Sequence, residues 1–246
     1  MNYTYDELAA MIDHSLLNPV MTDAVLAEGC ELAARYKTAT VCIKPYAVPL
    51  AAKLLQGTGV KVSTTIGFPH GGHLTAIKVR ETEEAIAQGA LELDMVCNIG
   101  KALSGDWAYV QDDIAAVVNA AHARNVLVKV IFENCYLQDE HKIKLCKICT
   151  DVAVDFVKTS TGYGTGGATI EDLTLMRAHA GAAVHVKAAG GVRDLDKLLE
   201  VRALGVTRVG ATATAVMLDE ARRRLKLPPL QGPQPTKPQG AHGIQY

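Results

Sequence analysis

The sequence has few aromatic residues and almost no excess of charge of either sign. Phe, Trp and Tyr make up 5% of its 246 residues, and the formal net charge at pH 7 is −1. A balance this close to neutral gives no broad basic surface, so we expect no nucleic-acid partner. No apolar run reaches the roughly 18 residues that a membrane helix needs, so we expect no membrane partner. The first ten residues, MNYTYDELAA, are polar and acidic and lack the pattern of a secretory signal, which predicts a cytoplasmic location.

Patterns typical of disulfides and metal sites are also scarce. The six cysteines are scattered through mostly apolar segments, which in a chain of this length predicts reduced thiols. Cys146 and Cys149 form a single C-x-x-C, and His70 and His73 lie close together in FPHGGH. Neither pattern supplies the full ligand set of a metal site. We therefore predict no metal and no other cofactor.

Short β-branched runs alternate with amphipathic helical stretches along most of the chain. TATVCIK (38–44) and VLVKVIFE (126–133) are typical of the runs, and LTAIKVRETEEAIAQG (74–89) is typical of the helices. Eight such runs predict an α/β fold, a single-domain (β/α)8 TIM barrel over residues 1–226 that begins with a short helix. The alternative is an open doubly wound sheet, but no G-x-G-x-x-G follows the first strand. Residues 227–246 are rich in Pro, Gly and Gln, which predicts a flexible C-terminal tail.

Ionisable side chains recur on one face of several predicted strands. Side chains alternate between the two faces of a strand, so Asp94 shares a face with Glu92, and Lys129 lies opposite Val128 and Val130. The apolar face suits the layer of helices, so we expect the charged face to point at the barrel axis. The predicted axial ring consists of Asp13, Lys44, Asp94, Lys129, Lys158 and Lys187.

Three lysines of this ring are spaced by one strand–helix unit each. Lys129, Lys158 and Lys187 follow one another at intervals of 29 residues (158 − 129 and 187 − 158). Buried ion pairs can be purely structural, but several ionisable groups around one axis are typical of a catalytic site. Burial and a neighbouring ammonium group both lower the pKa of a lysine from its usual value of about 10.4. A neutral lysine attacks carbonyls and forms Schiff bases, and a carboxylate such as Asp94 can move the protons through water.

Glycine-rich stretches follow the last three predicted strands. They are TGYGTGG (161–167), AGGVRD (189–194) and VGATAT (209–214). Loops at the carboxyl ends of the final barrel strands commonly bind phosphate, because glycine lets backbone amides approach the anion. Turns need glycine as well, which is the structural alternative. The three stretches together favour a phosphate site.

Several motifs resemble the deoxyribose-phosphate aldolase family. IDHSLL, VCIKP, TTIGFPHG, ELDMVCNIG, DFVKTSTGYGTGGAT and VKAAGGVRD occur in the family's order, and the resemblance covers about residues 8–217. It implies a metal-free Schiff-base aldolase that reversibly cleaves 2-deoxy-D-ribose 5-phosphate to D-glyceraldehyde 3-phosphate and acetaldehyde. By position, it implies Lys158 as the Schiff-base lysine, Lys187 as the lysine that lowers its pKa, and Asp94 as the acid/base group, with Asp13 and Lys129 in a supporting network. The implied phosphate contacts are Gly162, Gly190, Gly191, Arg193, Gly210 and Thr212.

The sequence departs from the family pattern in two places. Many relatives carry two consecutive serines in the last glycine loop, where this chain has Thr212 and Ala213. The missing hydroxyl leads to the hypothesis of a weaker hold on phosphate and a preference for short unphosphorylated aldehydes. The chain ends in Tyr246, as some relatives end in tyrosine. That phenol is either a proton relay at the barrel mouth or part of a solvated tail.

The sequence leaves the role of Cys42 and two alternative functions open. Cys42 shares a face with Lys44, so its thiol either touches the site and is open to alkylation by an aldehyde product, or is packed and inert. One alternative function is a related Schiff-base aldolase with a different aldehyde substrate, and another is a sugar-phosphate-binding barrel without catalysis. The expected partners are a sugar phosphate, aldehydes and further copies of the chain in a homodimer or larger homo-oligomer.

Overall fold

Eight parallel strands form a closed barrel. The structure, a computed structural model, describes residues 3–230. The strands pair in chain order, and the first also pairs with the last, so the sheet has no open edge. They are β1 (Ile12–Leu16), β2 (Thr40–Ile43), β3 (Lys61–Ile66), β4 (Glu92–Val96), β5 (Leu127–Ile131), β6 (Phe156–Lys158), β7 (His185–Ala189) and β8 (Arg208–Ala211). The predicted TIM barrel is confirmed, and the open doubly wound sheet is excluded.

A layer of helices surrounds the barrel. At least one α-helix follows each strand, and the predicted short helix precedes β1. In the described part of the chain they are α1 (Tyr5–Ala9), α2 (Asp23–Tyr36), α3 (Val48–Leu54), α4 (Thr75–Ala87), α5 (Ile99–Leu103), α6 (Trp107–His122), α7 (Asp139–Asp151), α8 (Ile170–His179), α9 (Leu195–Ala203) and α10 (Thr214–Arg224). No helix between residues 3 and 230 combines the length and apolar character needed to cross a bilayer.

The hydrophobic core lies between the barrel wall and the helices. Val130 and Val157 point outward from adjacent strands and are fully buried. Helix α6 covers this wall with a stripe of buried residues at helical spacing, Val110, Ile114 and Val117. Each such side chain stabilises the fold by about 1.5–3 kcal/mol through burial. Because the outward residues fill this layer, the remaining alternate residues of each strand point at the axis.

A buried ion pair joins two of the outer helices. Lys78 Nζ of α4 lies 2.6 Å from Asp113 Oδ2 of α6 and donates a second hydrogen bond to the Val96 carbonyl oxygen at 3.0 Å. The Thr75 hydroxyl donates to the other Asp113 oxygen at 2.8 Å. Both charged side chains have no exposed surface. Periodicity gave no signal for this pair, because an apolar contact between α4 and α6 would satisfy the same pattern.

The segment predicted as a tail begins within the described residues. The Pro228 carbonyl oxygen accepts a hydrogen bond from Arg222 Nε of α10 at 2.8 Å. Leu230 packs against the edge of the core. Residues 231–246, including Tyr246, lie outside the part that the structure describes.

Candidate active site

Asp94 is the centre of a buried charge cluster on the barrel axis. Its carboxylate oxygens accept hydrogen bonds from Lys129 Nζ at 2.8 Å, Lys158 Nζ at 2.6 Å and Lys187 Nζ at 2.7 Å. The four side chains are supplied by β4, β5, β6 and β7, which are consecutive in the barrel. Lys158 and Lys187 are direct register partners. The tertiary structure therefore brings together the three lysines that the 29-residue spacing had placed on one axis.

Asp13 joins the cluster from β1, the strand whose pairing with β8 closes the barrel. It accepts a hydrogen bond from Lys187 Nζ at 2.5 Å and another from Arg208 Nη1 at 2.6 Å. Lys129 Nζ lies 3.6 Å from the same carboxylate. Asp13 and Arg208 lie on β1 and β8, whose pairing closes the sheet. Asp13 thus contacts Lys187 only because the barrel is closed.

Three members of the site were missed by the predicted ring. Arg208 Nη1 also binds Glu92 at 2.9 Å, and Glu92 in turn lies 2.8 Å from Lys129 Nζ. Ser63 accepts from Lys129 Nζ at 3.3 Å and donates to Asp94 at 3.2 Å. Glu92 was assigned to the inner face but not to the ring. Arg208 could have been found from its alternation with Gly210 in TRVGAT, whereas Ser63 gives no distinctive signal.

Seven buried ionisable groups are joined by direct ion pairs in the cluster, and their own charges do not balance when all seven are ionised. With four cations and three carboxylates the net charge is +1 (4 − 3). Their side chains are almost fully buried, and a buried net charge is costly. Loss of one proton makes the cluster neutral. The members are Asp13, Glu92, Asp94, Lys129, Lys158, Lys187 and Arg208.

The cations differ in how many carboxylates hold them. Lys158 contacts one carboxylate, Lys187 contacts two and Lys129 contacts three. Burial lowers the pKa of Lys158, the nearby Lys187 ammonium lowers it further, and the single Asp94 carboxylate does not compensate. For Lys187, burial is outweighed by Asp13 and Asp94, so its pKa is raised. Lys158 is therefore the member of the cluster that loses a proton most readily.

The carboxylates of Asp13 and Asp94 remain ionised at neutral pH. Burial alone would raise the pKa of Asp94, but the ammonium groups of Lys129, Lys158 and Lys187 outweigh it and hold that pKa well below the usual range. The pKa of Asp13 is lowered by Lys187, Lys129 and Arg208 against the same effect of burial. Asp94 in its resting state is thus a proton acceptor that contacts Lys158 directly.

The glycine-rich loops meet at the carboxyl ends of β6, β7 and β8. Gly167 and Gly190 touch so closely that a Cβ on Gly167 would lie 2.5 Å from the Gly190 carbonyl oxygen. The Ala168 amide donates to that oxygen at 2.9 Å, which joins the first two loops. In the third loop, Ala213 is the N-cap residue of α10, and its methyl side chain cannot accept hydrogen bonds from the first helical amides. Close approach of backbone to backbone thus explains two of the glycines without a ligand.

The sequence of this barrel matches a known protein family. Residues 8–216 match the model of the DeoC/LacD family aldolases. The chain belongs to this aldolase family. The resemblance predicted from the motifs is confirmed, over nearly the same residues.

Individual relatives of this aldolase agree with the family match. The deoxyribose-phosphate aldolase of Rhodopirellula baltica is 61% identical over 230 residues, which are 94% of this chain and 95% of that protein. That of Clostridium perfringens (strain 13 / Type A) is 48% identical over 213 residues, 87% of this chain and 95% of that protein. The solved deoxyribose phosphate aldolase of Aeropyrum pernix has a TM-score of 0.82 at 27% identity, covering 90% of this chain and 93% of that one.

One predicted member of the axial ring is wrong. Lys44 of this aldolase lies one residue beyond β2, and its ammonium group donates to the carbonyl oxygens of Asn18 at 3.2 Å and Met21 at 2.9 Å. Alternation of faces ends with the strand, and Pro45 turns the chain into a short 3-10 helix. Lys44 therefore fixes the loop after β1 and does not join the buried charge cluster.

The cysteines and histidines of this aldolase show no metal arrangement in residues 3–230. Cys42 is buried beside the charge cluster, and burial raises the pKa of its thiol. Cys146 and Cys149 of the C-x-x-C are buried in α7, and burial raises the pKa of Cys146 to about 12. A buried thiol with a raised pKa is a poor nucleophile, which favours the packed reading of Cys42 in the resting enzyme.

Proposed function

We propose that the chain catalyses the reversible aldol cleavage of 2-deoxy-D-ribose 5-phosphate to D-glyceraldehyde 3-phosphate and acetaldehyde through a Schiff base on Lys158. The single observation that carries this proposal is the lowered pKa of Lys158 in direct contact with the ionised Asp94 and beside the charged Lys187. The family membership and the names of the relatives support the choice of substrate.

The first step needs a neutral amine. Lys158 Nζ attacks C1 of the open-chain aldehyde, and loss of water from the resulting carbinolamine gives an iminium ion. Lys187 keeps its proton because two carboxylates hold it, so it remains the cation that disfavours a charged Lys158. The two lysines therefore have different roles, although both are buried on neighbouring strands.

The second step breaks the C2–C3 bond. The bonding electron pair moves into the iminium ion and forms an enamine, while the C3 hydroxyl loses its proton and becomes the aldehyde of glyceraldehyde 3-phosphate. Asp94 is placed to accept that proton through a water molecule, because its carboxylate is ionised and lies 2.6 Å from Lys158 Nζ. Protonation of the enamine at C2 and hydrolysis of the imine then release acetaldehyde and restore the amine of Lys158. Asp13 and Lys129 hold Lys187 and Asp94 in position.

The phosphate group is proposed to bind at the three glycine-rich loops. Gly162, Gly190 and Gly191 have positive φ angles, which turn backbone amides away from the strand direction. Thr212 and Arg193 are exposed at the carboxyl ends of β8 and β7. The helix α10 starts next to Thr212 without a side-chain cap, so its first amides can meet an anion. Gly210 lies on β8 against Lys187, which supports a phosphate site close to the charge cluster.

A second candidate is a Schiff-base aldolase that accepts a different or unphosphorylated aldehyde. Ala213, the N-cap residue of α10, favours this second function, because it has no hydroxyl to bind a phosphate oxygen. Comparing kcat/KM for deoxyribose with and without its 5-phosphate separates the two. A preference for the phosphorylated sugar supports the first function, and equal values support the second.

Location and assembly are also proposals. The six unpaired cysteines support a cytoplasmic location, where thiols stay reduced. We propose a homo-oligomer because the relative from Aeropyrum pernix is described as tetrameric. Leu74 and Ile77 at the start of α4 are 70% and 49% exposed, which gives such an interface apolar side chains. Sedimentation velocity of the wild type and of Leu74→Glu tests this assembly.

Imine trapping tests the proposed chemistry. The protein is mixed with acetaldehyde, reduced with borohydride and digested, and the modified residue is located by mass spectrometry. We expect an ethyl group on Lys158 that disappears in Lys158→Ala. Lys44→Ala is the matched control, because Lys44 lies at the same end of the barrel outside the charge cluster. A folded protein without this adduct, or with the adduct on Lys187 instead, contradicts the proposed mechanism.

A further inference from the structure

Tyr163 connects three loops at the mouth of the barrel. Its hydroxyl donates a hydrogen bond to the Leu17 carbonyl oxygen at 2.7 Å. Its ring packs edge-on against Phe68, with centroids 5.4 Å apart and planes at 88°. Tyr163 follows β6, Leu17 follows β1 and Phe68 follows β3, so all three lie at the carboxyl ends of strands.

The closed strand order fixes where this side chain must lie. Around the ring of eight strands, β6 is three strands from β1 in one direction and three strands from β3 in the other. A side chain that starts after β6 and touches the loops after both β1 and β3 therefore crosses the barrel mouth. Lys158 ends the same strand β6 and is only 3% exposed. Tyr163 thus lies on the side from which a substrate reaches Lys158.

The far end of this connection is fixed. Lys44 Nζ binds the carbonyl oxygens of Asn18 and Met21, which brace the loop that carries Leu17. The hydrogen bond from Tyr163 therefore ends on a braced loop. Opening the mouth requires movement of Tyr163 rather than of its partner.

The near end of this connection is anchored at Thr161, two residues before Tyr163. The Thr161 amide donates to the buried Glu133 carboxylate at 3.1 Å, and the Thr161 hydroxyl binds the same carboxylate. Gly162 and Gly164 flank Tyr163, and Gly162 has a φ of +90°. The Tyr163 amide donates to the Thr161 hydroxyl at 2.9 Å, so the backbone is held and the Tyr163 side chain moves by rotation about its own bonds.

We propose that Tyr163 is the roof of the substrate chamber, so that it controls the access of carbonyl compounds to Lys158 and limits the size of the donor aldehyde. The inference depends on the proposed function, because it takes Lys158 as the nucleophile. A carbonyl carbon must come within bonding distance of a nearly buried amine, so the bond between Tyr163 and Leu17 opens when a substrate enters. The expected consequence is that a two-carbon donor is accepted with the Tyr163 side chain in its closed position, whereas a branched donor meets the phenol ring.

The experiment compares Tyr163→Phe, Tyr163→Ala and Tyr46→Phe with the wild type. The Tyr46 hydroxyl also bridges two segments at this end, by donating to Asp23 Oδ1 at 3.1 Å, but these segments follow the adjacent strands β1 and β2. It is therefore a matched control for loss of an exposed tyrosine hydrogen bond. The measured quantity is the rate of borohydride-trapped alkylation of Lys158 by acetaldehyde and by 3-methylbutanal, as a function of pH.

Loss of the hydroxyl and loss of the ring have different expected effects. Tyr163→Phe should trap acetaldehyde about 2- to 10-fold faster, the effect of one net hydrogen bond that no longer has to open. Tyr163→Ala should raise the rate ratio of 3-methylbutanal to acetaldehyde by about 10-fold or more, the size of typical steric discrimination between alkyl groups. Tyr46→Phe should leave the rates and the ratio unchanged, and neither Tyr163 variant should shift the pH profile.

Other outcomes overturn the inference in distinguishable ways. If the wild type gives no adduct on Lys158, the proposed function is refuted, and the proposed role of Tyr163 is refuted with it. If the wild type reacts but both Tyr163 variants keep its rate and its aldehyde ratio, only the roof fails. A slower Tyr163→Phe, or a pH profile displaced in either variant, would show that the phenol acts in the chemistry or electrostatics instead of in access.

Discussion

Replacing Arg208 with Gln should move the acid side of the activity profile to higher pH. Arg208 contacts no carbonyl substrate in the proposed mechanism, because it lies beneath Asp13 and Glu92 in the buried charge cluster. Its charge nevertheless disfavours a proton on Lys158. Removing that cation raises the pKa of Lys158, so less free amine is present at any given pH below the new pKa.

The size of the shift follows from the strand register. Lys158 pairs with Lys187 on β7, and Lys187 pairs with Arg208 on β8. Two strand spacings separate Lys158 from Arg208, which is about 10 Å. At an effective dielectric constant of about 20, a unit charge at about 10 Å contributes about 1.7 kcal/mol, so the acid limb moves by about one pH unit. Well below that limb, the rate of Schiff-base formation should fall about tenfold.

Two further variants test the direction of this pH shift. Glu92→Gln removes an anion and should move the acid limb to lower pH. This shift should be smaller than that of Arg208→Gln, because Glu92 lies two residues deeper along β4 than Asp94, which contacts Lys158 directly. Leaving a buried carboxylate without its partner costs about 3–5 kcal/mol of stability, so Arg208→Gln alone is expected to be less stable. The double variant Glu92→Gln/Arg208→Gln loses one charge of each sign and should return the limb most of the way to wild type.

The assay is the single-turnover rate of imine trapping with acetaldehyde at a series of pH values, with circular dichroism as the check on folding. Other groups that face Lys158 are Asp13, Cys42, Asp94, Lys129, Glu133 and Lys187. They are common to all the variants, so the comparison isolates the two charges that change. Folded Arg208→Gln and Glu92→Gln proteins whose limbs move in the same direction, or not at all, would refute the electrostatic reasoning.

Three other perturbations have definite expected results. Because the pKa values of Asp13 and Asp94 are lowered in the folded state, these groups stabilise the fold fully above their unfolded pKa of about 3.9, and this stability is lost as the pH falls below it. The midpoint of urea unfolding, measured against pH, should show the loss, and a midpoint independent of pH would contradict it. Lys78→Met should destabilise the fold by about 3–5 kcal/mol in urea titrations and leave kcat unchanged, because it leaves the buried Asp113 carboxylate unpaired. Adding Asp113→Leu should recover most of the lost stability, and no recovery would show that the unpaired carboxylate is not the cause. Ala213→Ser adds a hydroxyl at the α10 cap and should lower KM for the phosphorylated sugar by about 2- to 10-fold, without an effect on deoxyribose itself. An equal change for both sugars would place the phosphate elsewhere.

The alternation of faces predicted most of the site because it is a local property. Lys129 lies between the outward-facing Val128 and Val130, and Lys158 and Lys187 each follow an outward-facing valine. The outward layer admits no charge, so the direction of the three lysines could be inferred from neighbouring residues. The same argument failed at Lys44, where the strand had already ended at Ile43. It was not applied to Arg208, although Arg208 alternates with Gly210 on β8 in the same way.

The sequence by itself determined the barrel, the family and the set of inward lysines, since each depends on short-range periodicity or on ordered motifs. The residue pattern did not determine which lysine has the lowered pKa, because Lys158 and Lys187 both follow a buried valine and precede a glycine-rich loop. Only the resemblance to the aldolase family assigned that role to Lys158. That difference depends on Asp13, which is 174 residues from Lys187 and reaches it only when β1 pairs with β8. Closure of the barrel gives Lys187 a second carboxylate and leaves Lys158 with one. The pKa of each amine is set by the charges around it, and only the tertiary structure decides which charges those are.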